Sequence, residues 1–330
     1  MNELEVSLSR SGPGLQSLAA QASRFMEAAK SPATRKAYSA DLRDYLAFCS
    51  LNGLRFMPST PEAVSLYISS LASRVPPACV STIKRRLAAI SYAHRQAGHD
   101  SPAIPRKHFV LGEVLAGIKR TLGEASHGAD PLLGDAIRRI AAACPLNLLG
   151  LRDRALVLLG FAIASRRSLL ASILELRDLT FTDQGLYVLI RHSKTDPFGA
   201  DPRPVAVPFG EHAETCPVLA VRAWIEAGTI TSGALFRAVD RHGNVSSRPL
   251  SPRSIAKILA KAVSRAGIDV ASAHLSPHSL RVGMATQAAI NGAEERDIAR
   301  TTLHRSVGMV RRYVRDADLF RGNASGRLGL

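Results

Sequence analysis

Four side chains near the end of the chain follow one another in an order that suits chemistry on phosphate esters. They are His278, Arg281, His304 and Tyr313. A phenol oxygen can attack phosphorus, while a guanidinium and two imidazoles stabilise the charge on the non-bridging oxygens. The set predicts cleavage of a phosphodiester without a metal ion, leaving the protein covalently joined to a nucleic acid.

The residues around the first of these histidines predict the start of a helix. Ser276 is a favourable N-cap and Pro277 suits the first helical position, which places His278 in the first turn and Arg281 on the same face. Free backbone N–H groups at a helix N-terminus favour a bound phosphate. Either residue alone is more often an ordinary surface residue; the ordered combination argues against coincidence.

The charge of the chain agrees with a polyanionic partner. Its 330 residues include 43 Lys and Arg against 27 Asp and Glu, a formal net charge of +16. Nucleic acid is the favoured partner and an anionic membrane surface the weaker alternative. The longest apolar run, Ala155 to Ala164, is too short to cross a bilayer, and no signal peptide is evident. We therefore expect a cytoplasmic protein that does not contact a membrane.

The sequence predicts neither a metal site nor a cofactor. Its cysteines are far apart and form no Cys-x-x-Cys pair, and its histidines lack ligand spacing. No glycine-rich nucleotide-binding motif is present. The chemistry expected here needs none, because a phosphotyrosyl bond retains the energy of the broken phosphodiester.

Helical periodicity and capping residues predict two domains. Helices are expected to start at Ser31-Pro32 and at Thr60-Pro61 and to cover residues 77–98 and 109–122. The second domain is expected to hold helices over 133–143 and 151–165, strands at 179–181, 186–191 and 204–207, and further helices from Pro217, Pro252, Pro277, Glu294 and Ser306. The predicted divisions are a flexible arm at 1–15, a helical domain at 16–123, a linker at 124–131 and a second domain at 132–330.

The stretch from His278 to Tyr313 resembles the C-terminal signature of the tyrosine recombinase, or phage integrase, family. That signature has His-x-x-Arg, a later His or Trp, and Tyr nine residues after it. Residues 160–168 resemble the first arginine box of the family, and residues 192–196 resemble its lysine hairpin. The resemblance spans about residues 31–330.

The resemblance implies a fold and a set of roles. The fold would be mainly α: an N-terminal helical, SAM-like DNA-binding domain and a C-terminal, mostly helical catalytic domain with a small antiparallel β-sheet. Tyr313 would be the nucleophile and His278 its acid/base partner. Arg166, Arg281 and His304 would stabilise the phosphorane, and Lys194 would protonate the 5′-oxygen.

Two departures from the family pattern affect the arginine box and the second histidine. Leu169 replaces the usual acidic residue, and Leu303 replaces the usual glycine before His304. One extra residue also precedes Asp178. Counting from Gly160 favours Arg166 as the catalytic arginine and counting back from Asp178 favours Arg167; we adopt Arg166.

Clusters of basic residues in the first domain indicate a DNA-facing surface, although a solvated helix face is the ordinary explanation of any one cluster. The candidates are Arg35, Lys36, Lys84, Arg85, Arg86, Lys119 and Arg120. The expected partners are duplex DNA with inverted-repeat sites and further copies of the chain, four in all on two sites, at the bacterial nucleoid. The rival interpretations are a type IB topoisomerase and a DNA-binding protein with impaired catalysis.

Overall fold

The computed structural model describes residues 13–124, 128–192, 196, 198–269, 274–303, 308, 310, 311, 313 and 328. These residues form two compact units, one within residues 1–126 and the other within residues 127–330. Over the described ranges, no helix has both the length and the apolar character needed to cross a membrane.

The first unit is helical, as predicted. Its helices are α1 (Pro13–Ala28), α2 (Pro32–Leu51), α3 (Pro61–Ala72), α4 (Val80–Gln96) and α5 (Phe109–Leu122). The hydroxyl of Ser31 accepts the N–H of Thr34 and caps α2, and that of Thr60 caps α3 in the same way. Two boundaries differ from the prediction: residues 13–15, expected in the arm, are helical, and α4 begins at Val80 rather than near residue 77.

Ion pairs join α4 to α2 inside this unit. Both Nε and Nη2 of Arg85 donate to the carboxylate of Asp41, at 2.9 and 2.8 Å, and Asp41 is 3% exposed. Arg86 pairs with Asp44 and donates to the hydroxyl of Tyr67. Burial would raise the pKa of Asp44, but hydrogen bonds from arginine and tyrosine side chains lower it to about 2. Two of the predicted DNA-binding arginines therefore hold helices together.

The second unit combines helices with two small antiparallel sheets, which confirms the predicted class. Its helices are α6 (Gly134–Ala142), α7 (Leu148–Ala162), α8 (Pro217–Ala227), α9 (Pro252–Arg265), α10 (His278–Ile290) and α11 (Glu295–Thr302). Strands β1 (Leu179–Phe181), β2 (Gly185–Ile190) and β3 (Arg203–Pro208) pair in that order, and β4 (Arg237–Val239) pairs with β5 (Val245–Pro249). The second hairpin was not predicted.

Helix α7 lies at the centre of this unit. The side chains of Leu170 and Leu280 approach it closely at Gly160. A methyl group at Gly160 would lie 2.9 Å from a methyl of Leu170 and 3.1 Å from one of Leu280. A larger residue at this position would require the side chains of Leu170 and Leu280 to shift. Helix α7 ends at Ala162 rather than at residue 165 as predicted.

A buried histidine holds the loop before α3 in the first unit. His94 is 1% exposed; its Nδ1 bonds to the carbonyl of Ile90 at 2.9 Å, and its Nε2 accepts the N–H of Ser59 at 2.9 Å. A ring that accepts at Nε2 is neutral. Burial lowers the pKa of His94, in keeping with a ring that stays neutral in the folded unit.

We expect acid to destabilise the first unit through His94. Because the folded pKa lies below the unfolded value of about 6.5, the stabilisation is complete above that value and is lost as pH falls toward the folded pKa. Thermal unfolding followed by near-ultraviolet circular dichroism, to which the four tyrosines of this unit contribute, should show a lower melting temperature at pH 5.5 than at pH 7.5.

The acid effect should shrink in His94→Gln, which cannot take up a proton, and should persist in His212→Gln, whose exposed side chain lies in the second unit. Fluorescence of Trp224 reports on the second unit separately. An acid shift of equal size in His94→Gln would assign the effect to other groups.

Candidate active site

Hydroxyl groups fix the start of α10. The structure begins this helix at His278, one residue later than predicted, with Pro277 at the N-cap. The hydroxyl of Ser276 accepts the N–H of His278 at 3.2 Å, and the hydroxyl of Ser279 accepts the N–H of Ser276 at 3.1 Å. These reciprocal bonds resemble a capping box and place an exposed His278 in the first turn.

Arg281, one turn further along α10, is 3% exposed and ties three segments together. Its guanidinium donates to the carbonyl oxygen of Ala164 at 2.8 Å, just after α7, and to that of Thr302 at the end of α11. A hydrogen bond from a charged group contributes about 1.5–3 kcal/mol. Arg281 is therefore held rigidly by backbone carbonyls from both sides.

Both segments that bond to Arg281 turn sharply. Ala164 has φ 46° and Leu303, directly after Thr302, has φ 52°. This left-handed conformation is uncommon for residues with a Cβ atom. It gives a physical reason for glycine at position 303 in the family pattern; here Leu303 takes the strained conformation and packs against the hydrophobic core.

The two adjacent arginines of the first box differ in their surroundings. Arg166 is half-buried and lines a cavity next to Arg281, whereas Arg167 is exposed. Burial lowers the pKa of Arg166. Burial, and then the positive charge of Arg166, lower the pKa of Arg281 to about 10. Two partly desolvated cations side by side favour a bound anion.

Tyr313 lies near these two arginines. It has helical backbone conformation, is 8% exposed, and packs with Val310, Ile298 and Ala285. Attraction to its ionised phenolate form partly offsets the lowering of the pKa of Arg166 and of Arg281 that burial causes. The structure therefore brings together Arg166, Arg281 and Tyr313, which are far apart in sequence.

The cavity beside these arginines holds two groups that sequence reasoning missed. Its volume is about 30 Å³, room for roughly one water molecule. Ser165 lines it with a hydroxyl that is buried and has no hydrogen-bond partner in the described part of the chain. His192, directly after β2, lines it as well. Both side chains can donate to an anion in the cavity.

A π-helical turn lies between the arginine box and Asp178, where the residue count is ambiguous. It spans Leu169–Ile173, and the N–H of Leu174 bonds to the carbonyl of Leu169, five residues earlier, at 3.0 Å. Such a turn contains one residue more than an α-helical turn and is often found at functional sites. The turn lies between the arginine box and Asp178, where it can hold the extra residue, and counting from Gly160 then gives Arg166, which lines the cavity.

Two of the predicted catalytic residues, Lys194 and His304, lie outside the described residues. Strands β2 and β3 flank Lys194 in the sequence and pair as a hairpin, with Val188 opposite Val205. Within the described ranges, no group of three or more His, Cys, Asp or Glu could hold a metal ion.

Basic and aromatic side chains line an open groove of about 760 Å³ in the first unit. Lys30 lies over the ring of Tyr92, 5.6 Å from its centre, and Tyr38 packs against the same ring at 5.7 Å. The cationic residues of the groove are Lys30, Lys84, Arg95, Arg106 and Lys119. Three of these, Lys30, Arg95 and Arg106, were not among the residues predicted from the sequence.

The remaining basic candidates lie on the surface. Arg35, Lys36 and Arg120 are exposed, and Arg35 pairs with Glu27 at 3.2 Å. Lys84 and Lys119 both pair with Glu124. Exposed pairs of this kind contribute little stability and are easily exchanged for a phosphate.

Residues 131–319 match the model of the phage integrase family. An integrase/recombinase xerD homolog from Selenomonas ruminantium is 37% identical over 94% of this chain and 89% of its own length. The chain belongs to the phage integrase family. It is a tyrosine-type, site-specific DNA recombinase, an enzyme that cleaves and rejoins DNA. A tyrosine recombinase XerC from Syntrophus aciditrophicus is 34% identical over 51% of this chain and 50% of its own.

Solved structures of integrases share the fold of this recombinase. The Tn1549 transposon integrase, in complex with transposon right end DNA, matches with a TM-score of 0.60 at 14% identity, covering 94% of this chain and 98% of its own. A lambda integrase dimer bound to a COC′ core site matches with a TM-score of 0.58 at 16% identity, covering 92% of this chain and 77% of its own.

Proposed function

We propose that the recombinase cleaves one DNA strand by attack of Tyr313 on phosphorus. The bond from the phenol oxygen to phosphorus forms as the bond to the 5′-oxygen breaks, which leaves a 3′-phosphotyrosyl link and a free 5′-hydroxyl. What supports this proposal is that Tyr313 packs against Ala285 of α10, the helix that carries Arg281, and interacts electrostatically with Arg166 and Arg281.

Each step needs a charged or proton-transferring group. Arg166 and Arg281 stabilise the negative charge that develops on the phosphorane. A phenol is largely protonated at neutral pH, so it needs a base, and His278 in the first turn of α10 takes this role. Lys194 gives a proton to the departing 5′-oxygen and His304 donates a further hydrogen bond, both as the family resemblance implies.

The rigid hold on Arg281 supports an active site over one with impaired catalysis. Leu169 stands where an acidic residue is expected, but the carbonyls of Ala164 and Thr302 position Arg281 instead. The extra residue in the π-helical turn leaves Arg166 at the cavity. Neither departure removes a reacting group.

We infer that the partner is duplex DNA with inverted-repeat sites and that four copies act together on two sites. One support is the net charge of +16. Another is that integrases of the same fold have been solved as a dimer on a core site and as a tetramer on a Holliday junction. Strand exchange between two sites requires such an assembly, whereas a type IB topoisomerase would relax DNA as a monomer.

The proposal is tested by trapping the covalent intermediate. With a suicide DNA substrate and a metal chelator present, denaturing gels should show a protein–DNA adduct for the native chain. Tyr313→Phe should abolish the adduct and keep DNA affinity, because it removes only the attacking oxygen. Tyr187→Phe, a change on β2 in the same unit, is the matched control and should form the adduct.

An adduct that persists in Tyr313→Phe would reject the assignment of the nucleophile. Relaxation of supercoiled DNA without dependence on a site would instead favour the topoisomerase interpretation.

For the first unit, we propose that the groove between α2, α4 and α5 binds the DNA backbone. Five cationic side chains line it, together with two tyrosines. Arg85 and Arg86 contribute less than the sequence suggested, because their guanidinium groups pair with Asp41 and Asp44. Clustering in the sequence alone does not distinguish an arginine paired with a carboxylate from one that lines the groove.

Salt dependence of DNA binding distinguishes the groove from the ion-paired arginines. Arg95→Ala with Arg106→Ala should weaken binding and reduce the slope of log affinity against log salt by about one unit per lost phosphate contact. Arg85→Ala should mainly lower thermal stability, on the order of 1–3 kcal/mol, because it removes the partner of a buried carboxylate. A larger change of salt slope in Arg85→Ala than in the groove variant would reverse this assignment.

A further inference from the structure

Residues 130–134, which we call the strap, run along α10 at the start of the second unit. Every second N–H of the strap is bonded to α10 or to the chain that leads into it. The N–H of Asp130 donates to the carbonyl of His274 at 3.2 Å, that of Leu132 to the carbonyl of Ser279 at 3.1 Å, and that of Gly134 to Oε1 of Gln287 at 2.9 Å.

The contact at Asp130 runs in both directions. Its carboxylate accepts the N–H of His274 at 2.7 Å, so backbone and side chain of Asp130 together fix His274, four residues before the start of α10. His278 lies between this anchor and the one at Ser279.

Gly283 allows the backbone of α10 to approach Leu132, in the middle of the strap, closely. A methyl group at Gly283 would lie 2.0 Å from the carbonyl oxygen of Leu132. Ser279, Gly283 and Gln287 follow one another at intervals of four, so they form one stripe along α10. The strap therefore contacts all three residues of this stripe, through Leu132 and Gly134.

The strap is also the first described part of the second unit to pack closely after the boundary between the two units at residues 126 and 127. Helix α10 carries His278 and Arg281, and a displacement of about 1 Å in a reacting group can lower a rate on the order of a hundred-fold.

We propose that the strap is a positioning element, in which Asp130 sets the place of His278 for cleavage. This inference rests on the proposed cleavage chemistry. Asp130 acts through His274 and α10 and does not touch the phosphate, so it is a positioning residue.

The test measures single-turnover cleavage of a suicide substrate at saturating DNA, together with DNA affinity and thermal stability. Asp130→Ala should cleave on the order of 10- to 100-fold more slowly with unchanged affinity, because it frees the chain before His278. Asp130→Asn should restore most of the rate, since its amide oxygen still accepts the N–H of His274. Asp135→Ala, which removes an exposed carboxylate paired with Arg138, is the matched control and should cleave like the native chain.

Equal rates in Asp130→Ala and the native chain would overturn the proposal, as would an Asp130→Asn variant as slow as Asp130→Ala. If Asp130→Ala does not fold, Gln287→Leu tests the strap at its far end. We expect this variant to cleave more slowly than the native chain, and a native cleavage rate would contradict the proposal. A native chain that forms no adduct would instead reject the cleavage chemistry itself.

Discussion

The buried guanidinium of Arg281 is the interaction on which the site depends. It bonds to one carbonyl after α7 and to another at the end of α11, and it sits on α10 itself. Three segments that carry predicted catalytic residues therefore meet at one side chain. The acceptors are backbone atoms at left-handed turns, Ala164 itself and the residue before Leu303, so the geometry does not depend on the acidic residue that Leu169 replaces.

The same arrangement concentrates positive charge where a phosphate is expected. Arg166 and Arg281 both lose solvation, and each lies near the phenol of Tyr313. An anion at this point relieves both the burial of the cations and their mutual repulsion. The hydroxyl of Ser165 in the adjoining cavity, which has no partner among the described residues, adds a donor that no motif predicted.

Much of the fold follows from local sequence signals, because caps and periodicity act over a few residues. Ser31 and Thr60 cap helices as predicted, and the strands before and after the turn at residues 182–184 pair as a hairpin. What the sequence could not supply depends on tertiary contacts. The pairing of Arg85 with Asp41 joins separate helices, and the π-helical turn, which favours the count to Arg166, is visible in sequence only as one extra residue.

The central claim is that Arg166, not its neighbour, stabilises the transition state with Arg281. The most direct measurement is single-turnover cleavage by Arg166→Ala and by Arg167→Ala, each at saturating DNA. Removing one such donor costs on the order of a hundred- to a thousand-fold in rate. The account predicts that loss for Arg166→Ala and a rate near the native one for Arg167→Ala, whose side chain is exposed. A large loss confined to Arg167→Ala would contradict it.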